Sequence, residues 1–199
     1  GPCLKYCRPP HLRGRPTHKE VPADAPPDRR LTEELRRIAR DGRVSVFGVA
    51  SIEHWDEGAS GDPRAELPGC RSVIVIGVDW PTDSTPSGNG PLGEPCTAAQ
   101  FGVSLLLEHT AMDLTRALDQ RDYFSVGYVR TDPVDAAEKA GLLVRDDSGR
   151  LSSPRYDDRL AWRVVLTQAP LAEGAVDLMP SGARVEPTLD ELRALLGDD

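Results

Sequence analysis

The stretch that decides the fold is residues 72–80, SVIVIGVDW. Its β-branched residues run almost without interruption, which is typical of a strand whose two faces are both covered by other elements. Three further apolar stretches, at residues 44–50, 123–129 and 160–167, are bounded by polar or turn residues and are predicted as strands as well. The sequence therefore predicts a sheet in which residues 72–80 are buried on both faces.

Helices are predicted around these strands. Residues 97–121 form the longest helix, because apolar residues recur there at spacings of three and four. Residues 133–140 form a short helix with proline in its first turn, and Thr188 with Glu191 makes a capping box for a last helix. The first helix ends at Gly42, and its apolar face consists of Leu31, Leu35, Ile38 and Ala39. The predicted class is α/β or α+β, with a sheet flanked by helices.

Length and composition indicate a single domain preceded by an arm. The 199 residues suit one domain with a substantial core. Residues 1–30 hold seven prolines and no apolar periodicity, so we expect an extended arm there and the domain at residues 31–199. No apolar run approaches the length of a membrane helix and the chain opens without a signal core, so the sequence predicts no membrane contact and a cytoplasmic location.

Charge is divided unevenly between the arm and the domain. Residues 1–30 carry seven Lys/Arg and three Asp/Glu, a net charge of +4. Because the net charge of the whole chain is −8, the remaining residues carry −12. A domain this acidic is not expected to bind nucleic acid, whose phosphates require cationic contacts. The basic arm either stays solvated, docks onto the domain, or binds an acidic partner.

The cysteines allow two interpretations. Cys3 and Cys7 have the spacing of the last two ligands in a bacterial ferredoxin motif, with a proline close behind. Two cysteines cannot hold a [4Fe–4S] cluster alone, so they are either free thiols or a partial iron–sulfur site that a partner or a missing segment completes. Cys70, before a buried strand, and Cys96, before a helix, are predicted to be structural.

Four segments together form a larger pattern. They are FGVASIE at residues 47–53, LPGCRSVIVIGV at 67–78, AGL at 140–142, and a late block of SSPRY, RL and VVLTQAPL between residues 152 and 171. In this order they resemble the corrinoid-binding domain of the epoxyqueuosine reductases and reductive dehalogenases. The second segment is the most specific of the four. Leu143 and Asp157-Asp158 stand where that family has glycine, the residue that best adopts positive φ.

The resemblance implies a nitroreductase-like fold that holds cobalamin near the loops after its strands. In such reductases the cobalt supplies the chemistry and the protein supplies shape, protons and electrostatics. The substrate would be a small molecule, and electrons would come from an external donor protein, because the sequence has no nicotinamide motif and lacks the family's cysteine-rich ferredoxin-like segment. Two alternatives stay open: an FMN-binding domain, which in this fold is usually a homodimer, and a non-catalytic interaction module.

Two residues are candidates for the catalytic acid. Asp132 precedes Pro133 at a strand-to-helix junction, where it is either a helix N-cap or, by resemblance to the epoxyqueuosine reductases, a proton donor. Tyr156 lies in the loop before the last strand, where its phenol either donates a proton or packs on the edge of the core. Arg155 beside it is suited to clamp an anionic group.

The candidate cofactor-binding residues surround Tyr156. They belong to the late block of the resemblance and are Ser152, Ser153, Arg155 and Arg159. The alternative is that the two arginines pair with Asp157 and Asp158 and serve only the structure of the loop.

Overall fold

The computed structural model describes residues 18, 21, 22, 24–80, 93–157 and 159–179, and of residues 93–100 the helical backbone alone. The predicted last helix and the pair Cys3 and Cys7 lie outside the described residues, as does the side chain of Cys96.

A five-stranded antiparallel sheet forms the centre of the described domain. Its strand order is β3-β6-β2-β1-β7, and a separate two-stranded sheet pairs β4 with β5. The strands are β1 (Val46–Ser51), β2 (Ser72–Asp79), β3 (Ser125–Val126), β4 (Val144–Arg145), β5 (Leu151–Ser152), β6 (Leu160–Thr167) and β7 (Gly174–Asp177). The predicted class, a sheet flanked by helices, is confirmed in its α+β form, and β2 lies in the middle of the sheet.

In the described residues, three α-helices accompany the sheet: α1 (Arg29–Asp41), α2 (Gly93–Asp119) and α3 (Pro133–Lys139). Asp28 caps α1 by accepting the N–H of Leu31 at 2.8 Å. The helix therefore starts inside the segment that the sequence assigned to the arm. Among the described residues, no helix is both long and apolar enough to cross a membrane.

Alternation along the strands gives the sheet two buried faces. On β1, Phe47 and Val49 point toward α1 and α2, whereas Val46 and Ala50 point toward α3 and the loop of residues 52–71. The same alternation continues on β2, every apolar residue of which is buried. This double cover explains why residues 72–80 read as an unbroken apolar run although the sheet is antiparallel.

Residues 140–142 lie close above β1. A Cβ built on Gly48 would lie 2.8 Å from Leu142 Cδ1 and 3.0 Å from Ala140 Cβ. The segment can approach this near only because β1 has no side chain there. Gly141 has a φ of +77°, which turns the chain at the end of α3.

Residues 21, 22 and 24–28, here called the N-terminal strap, lie at the end of the sheet where β2 begins. Arg71 donates to the carbonyl oxygen of Pro22 at 2.5 Å. The N–H of Asp28 donates to the carbonyl oxygen of Pro170 at 2.7 Å. Nearby, the ring of His18 lies 4.6 Å from that of Phe124. This part of the predicted arm is docked onto the domain.

The strand predicted at residues 123–129 is shorter in the structure. Only Ser125 and Val126 pair with β6. Beyond them the chain leaves the sheet edge to reach α3, and the carboxylate of Glu66 binds the N–H groups of Arg130 and Thr131.

Candidate functional site

The candidate site lies at the end of the sheet where β2 and β7 end and β6 begins. Five side chains meet there, and we call them the Tyr156 cluster: Asp79, Arg155, Tyr156, Arg159 and Asp177. Asp79 ends β2 opposite Leu160, and Asp177 ends β7 opposite Val46. The antiparallel register therefore brings together residues that are almost one hundred positions apart in the sequence.

Tyr156 is buried at the edge of the core, with 5% of its surface exposed. Its phenol donates a hydrogen bond to Asp177 Oδ1 at 2.9 Å. Burial raises the pKa of Tyr156, and the carboxylate of Asp177 raises it further, because both disfavour a phenolate. The phenol therefore keeps its proton at physiological pH.

Asp177 connects Tyr156 to Arg155. The Nη1 atom of Arg155 lies 2.5 Å from Asp177 Oδ2 and 2.7 Å from the carbonyl oxygen of Met179. The guanidinium of Arg155 also lies 5.3 Å from the centre of the Tyr156 ring. Sequence reasoning missed Asp177, since nothing in GAVD (residues 174–177) distinguishes a functional carboxylate from a surface one.

Arg159 forms the second ion pair of the cluster. Its Nη1 atom lies 3.3 Å from Asp79 Oδ1 but is buried and makes no hydrogen bond with any described residue. The alternative pairing predicted for the two arginines is wrong for Asp157, which pairs with Arg150, while Asp158 lies outside the described residues.

Ser152, at the end of β5, and Ser153, directly after it, precede the cluster residues Arg155 and Tyr156 in the chain. Ser152 is half-buried and pairs with Val144. Ser153 is buried, and its backbone exchanges two hydrogen bonds of 2.9 Å with Asp157. Residues 153–157 therefore form a closed turn that presents Arg155 and Tyr156 to Asp177.

Leu143 and Asp157, the two described positions at which the resemblance leads one to expect glycine, differ in burial and backbone conformation. Leu143 is buried, with 8% of its surface exposed, in the core beneath α3. Asp157 has a φ of +53°, the conformation that a glycine would favour. Aspartate tolerates this region better than most residues, so the turn keeps its backbone shape.

We expect Asp157→Gly to leave the free energy of unfolding within about 0.5 kcal/mol of wild type. Glycine removes the backbone strain at positive φ. This gain offsets the greater freedom of the unfolded chain and the loss of the exposed ion pair with Arg150. Asp157→Val should cost about 1–2 kcal/mol, because a β-branched residue fits this conformation poorly. Urea unfolding measures both. Asp147→Val is the matched control in the neighbouring turn, where φ is not positive; an equal loss there would contradict the explanation.

Asp132 is the N-cap of α3. Its Oδ1 accepts the N–H of Val134 at 2.9 Å, and its side chain is exposed. The cap interpretation is confirmed. No hydrogen bond among the described residues joins Asp132 to the Tyr156 cluster.

The loop between β1 and β2 contains an ion pair with a buried acid, Asp62, that sequence reasoning also missed. Arg64 donates to Asp62 Oδ1 at 3.0 Å and to the carbonyl oxygens of Ile52 and Trp55. Burial alone would raise the pKa of Asp62, but the hydrogen bonds from Gly58 and Arg64 and the charge of Arg64 lower it overall. The PR step at residues 63–64, after an aspartate N-cap, is the only local signal for this pair.

The described residues offer little else for metal or thiol chemistry. Burial raises the pKa of Cys70 to about 12, so this thiol is not a nucleophile at neutral pH. In the part of the chain that the structure describes, no group of three or more His, Cys, Asp or Glu side chains is arranged to hold a metal ion.

Reductases are among the solved structures that superpose on this chain. The catabolic reductive dehalogenase NpRdhA, in complex with 3-bromo-4-hydroxybenzoic acid, superposes with a TM-score of 0.56 and 21% identity, covering 89% of this chain and 25% of that one. A reductive dehalogenase whose structure suggests a mechanism for B12-dependent dehalogenation superposes with a TM-score of 0.55 and 21% identity, covering 83% of this chain and 22% of that one. This chain has the fold of a reductive dehalogenase domain.

An epoxyqueuosine reductase structure also superposes on this chain, with lower identity. Epoxyqueuosine reductase from Streptococcus thermophilus matches with a TM-score of 0.50 and 14% identity, over 71% of this chain and 46% of that one. The chain thus spans about a quarter of the reductive dehalogenases and about half of this epoxyqueuosine reductase. No protein-family model and no curated protein matches the chain.

Proposed function

We propose that the chain is a cobalamin-binding reductase domain that acts on a small-molecule substrate and receives its electrons from another protein. The observation that carries the proposal is the Tyr156 cluster, in which a protonated phenol and two guanidiniums meet at one end of a reductive dehalogenase fold. The fold is shared with a B12-dependent enzyme over 83% of this chain.

The donors of the cluster suit a corrinoid. Its ring carries amide groups and its tail a phosphate, and arginine is well suited to bind such acceptors. Arg159 Nη1 is buried, pairs with Asp79 Oδ1 at 3.3 Å and makes no hydrogen bond to any described residue, so its N–H groups could also bind a ligand acceptor. Arg155 and Ser152 are partly exposed and extend the set of donors.

A bound corrinoid would supply the redox chemistry of its cobalt. The residues of this chain would bind it and hold protons. Tyr156 holds a proton at its phenol oxygen, and Asp177 with Arg155 fixes the position of that oxygen. Asp132 is the second candidate for a proton donor, since its carboxylate lies on the exposed start of α3. An iron–sulfur role for Cys3 and Cys7 would require further ligands from outside this chain.

Titration of the purified chain with hydroxocobalamin, followed by visible absorption, tests the proposal. We expect a saturable spectral shift with wild type. Arg159→Ala should weaken the dissociation constant by roughly 10–100-fold, the effect of losing one charge-assisted hydrogen bond. Arg121→Ala is the matched control, because Arg121 pairs with Glu34 of α1 on the other face of the sheet; its affinity should equal that of wild type.

The same titration separates the alternatives. A shift with FMN and none with cobalamin would favour the flavin-binding reading, and no shift with either would favour an interaction module without cofactor. If wild type and Arg159→Ala bound cobalamin with equal affinity, the Tyr156 cluster would not be the binding site. Circular dichroism of each variant shows whether a loss of binding reflects a loss of fold.

A further inference from the structure

The outward face of α1 is rich in arginine. Between positions 29 and 43 the chain has six arginines and three acids, although its net charge is −8. At about 100° per residue, the five arginines within the helix fall in an arc of roughly 120°. This arc lies opposite the buried stripe of Leu31, Leu35 and Ala39, and the sixth arginine follows the C-cap. We call these six residues the α1 arginine face: Arg29, Arg30, Arg36, Arg37, Arg40 and Arg43.

Most of this positive charge is not paired within the described domain. Arg36 pairs with Glu33, and Glu34, on the flank of the face, pairs with Arg121 of α2. The other five arginines of the face are exposed, and none of them forms an ion pair with an acid among the described residues. A guanidinium stays charged at physiological pH, and its N–H groups form a fork that fits a carboxylate. The face therefore offers five charged forks to a partner.

We propose that the α1 arginine face binds a partner protein through a cluster of Asp and Glu side chains on that partner. Charge complementarity is the first argument, because the face is a positive part of a negative molecule. Residues 29–43 carry a net charge of +3, and because the whole chain carries −8, the rest carries −11. An acidic partner is therefore attracted to α1 and repelled by the average of the remaining surface, which determines where it docks.

The acids within the face favour a protein over a nucleic acid or a membrane. Glu33 lies near the middle of the arc, about 40° from Arg29, and Asp41 is exposed at the C-terminal end of the helix. The phosphates of a nucleic acid or of an anionic bilayer form a continuous negative surface, which would repel both carboxylates. A protein surface can place lysine or arginine opposite these two acids and carboxylates opposite the arginines.

The C-terminal end of the face lies at the same end of the sheet as the Tyr156 cluster. Ser45 follows Arg43 by two residues, and its Oγ accepts the N–H of Asp79 at 3.0 Å. Its carbonyl oxygen accepts the N–H of Leu178, directly after β7, at 2.9 Å. A partner bound to α1 would therefore sit beside the end of the sheet that carries the candidate site. The binding requires no cofactor, so its test is independent of the cobalamin titration.

Fluorescence anisotropy of a labelled peptide, measured with the full chain, tests the proposal. The probe is a run of about six glutamates, whose extended length of about 20 Å matches that of α1. At about 20 mM salt we expect saturable binding with a dissociation constant below about 100 µM. At about 200 mM salt it should be at least about tenfold weaker, because salt screens exposed charges. An RNA of the same charge should bind more weakly; tighter RNA binding, or no saturable binding of the peptide, would overturn the proposal.

Charge reversal locates the binding surface. Arg37→Glu and Arg40→Glu should each weaken peptide binding at least about tenfold, because each places a like charge against the peptide. Arg130→Glu is the matched control, since Arg130 is exposed in the segment before α3, on the other face of the sheet. Arg13→Glu makes the same change in the basic arm. Both controls should bind as wild type does, and a loss in either as large as in the α1 variants would contradict the assignment. Circular dichroism shows that each variant folds.

Cross-linking tests the contact directly. Arg37→Lys keeps the positive charge and introduces an amine, which a water-soluble carbodiimide joins to a carboxylate of the peptide as an amide, with loss of water. We expect mass spectrometry to find the peptide attached at position 37. Arg130→Lys is the matched control and should give only the background set by the three native lysines. Equal attachment at positions 37 and 130 would show that the peptide does not select α1.

Discussion

Gly48→Ala is expected to lower the free energy of unfolding by about 2–3 kcal/mol, the cost of overpacking a filled core. The new methyl group would lie 2.8 and 2.9 Å from two carbons of Leu142 and 3.0 Å from Ala140 Cβ. Both neighbours are buried, so neither can turn away into solvent. Relief requires the segment after α3 to lift from β1, and urea unfolding at neutral pH measures the loss.

Gly102→Ala is the matched control for this prediction. Gly102 lies inside α2, and a Cβ there would meet nothing within 4 Å. The same substitution should stabilise the protein by about 0.5–1 kcal/mol, because alanine has the higher helix propensity. A loss at Gly102 as large as that at Gly48 would show that close packing under residues 140–142 is not the cause.

Arg64→Ala is expected to cost about 2–4 kcal/mol, because it leaves the buried carboxylate of Asp62 without its cation. The side chain of Asp62 is only 4% exposed. The substitution also removes the donors that hold the carbonyl oxygens of Ile52 and Trp55, so the loop under the sheet should loosen. Urea unfolding at pH 7 measures the loss.

The pH dependence of this loss follows from the lowered pKa of Asp62 in the folded protein. A carboxyl with a depressed folded pKa stabilises the fold above its unfolded pKa, and the contribution disappears as pH falls through the folded value. The difference between wild type and Arg64→Ala should therefore shrink below about pH 4. A difference that stays constant down to pH 3 would contradict the role of the charge.

Arg36→Ala is the matched control, because Arg36 is as exposed as Arg64, at 26%, but pairs with Glu33, which is 64% exposed. Exposed pairs contribute about 0–1 kcal/mol. A loss at Arg36 equal to that at Arg64 would mean that burial of the acid is not what makes the Arg64 contact strong.

The elements that a single apolar pattern specifies were predictable from sequence. Residues 72–80 and 160–167 correspond to β2 and β6, which the structure places side by side. The short strands were not. β7 has alternating exposure over four residues only, and it forms because β1 offers an open edge, which no local pattern reveals. β3 contains two paired residues only, and beyond it the chain binds Glu66, a residue distant in sequence.

The candidate site was predictable in part for the same reason. Arg155 and Tyr156 are neighbours in sequence, and the structure places both in one cluster. Asp177 joins them only through the pairing of β7 with β1. The closed turn at residues 153–157 was hidden as well, because aspartate at position 157 takes a conformation for which the sequence analysis looked for glycine.

The position of β7 beside β1 has a consequence for how the chain is made. Residue 46 pairs with residue 177, so β1 keeps an unpaired edge until more than 120 further residues have been synthesised. Contacts between such distant positions close slowly. During that interval the apolar β1 strand has an open edge, which can pair with strands of other chains. Chaperones that cover the open edge of β1 during synthesis should therefore raise the soluble yield.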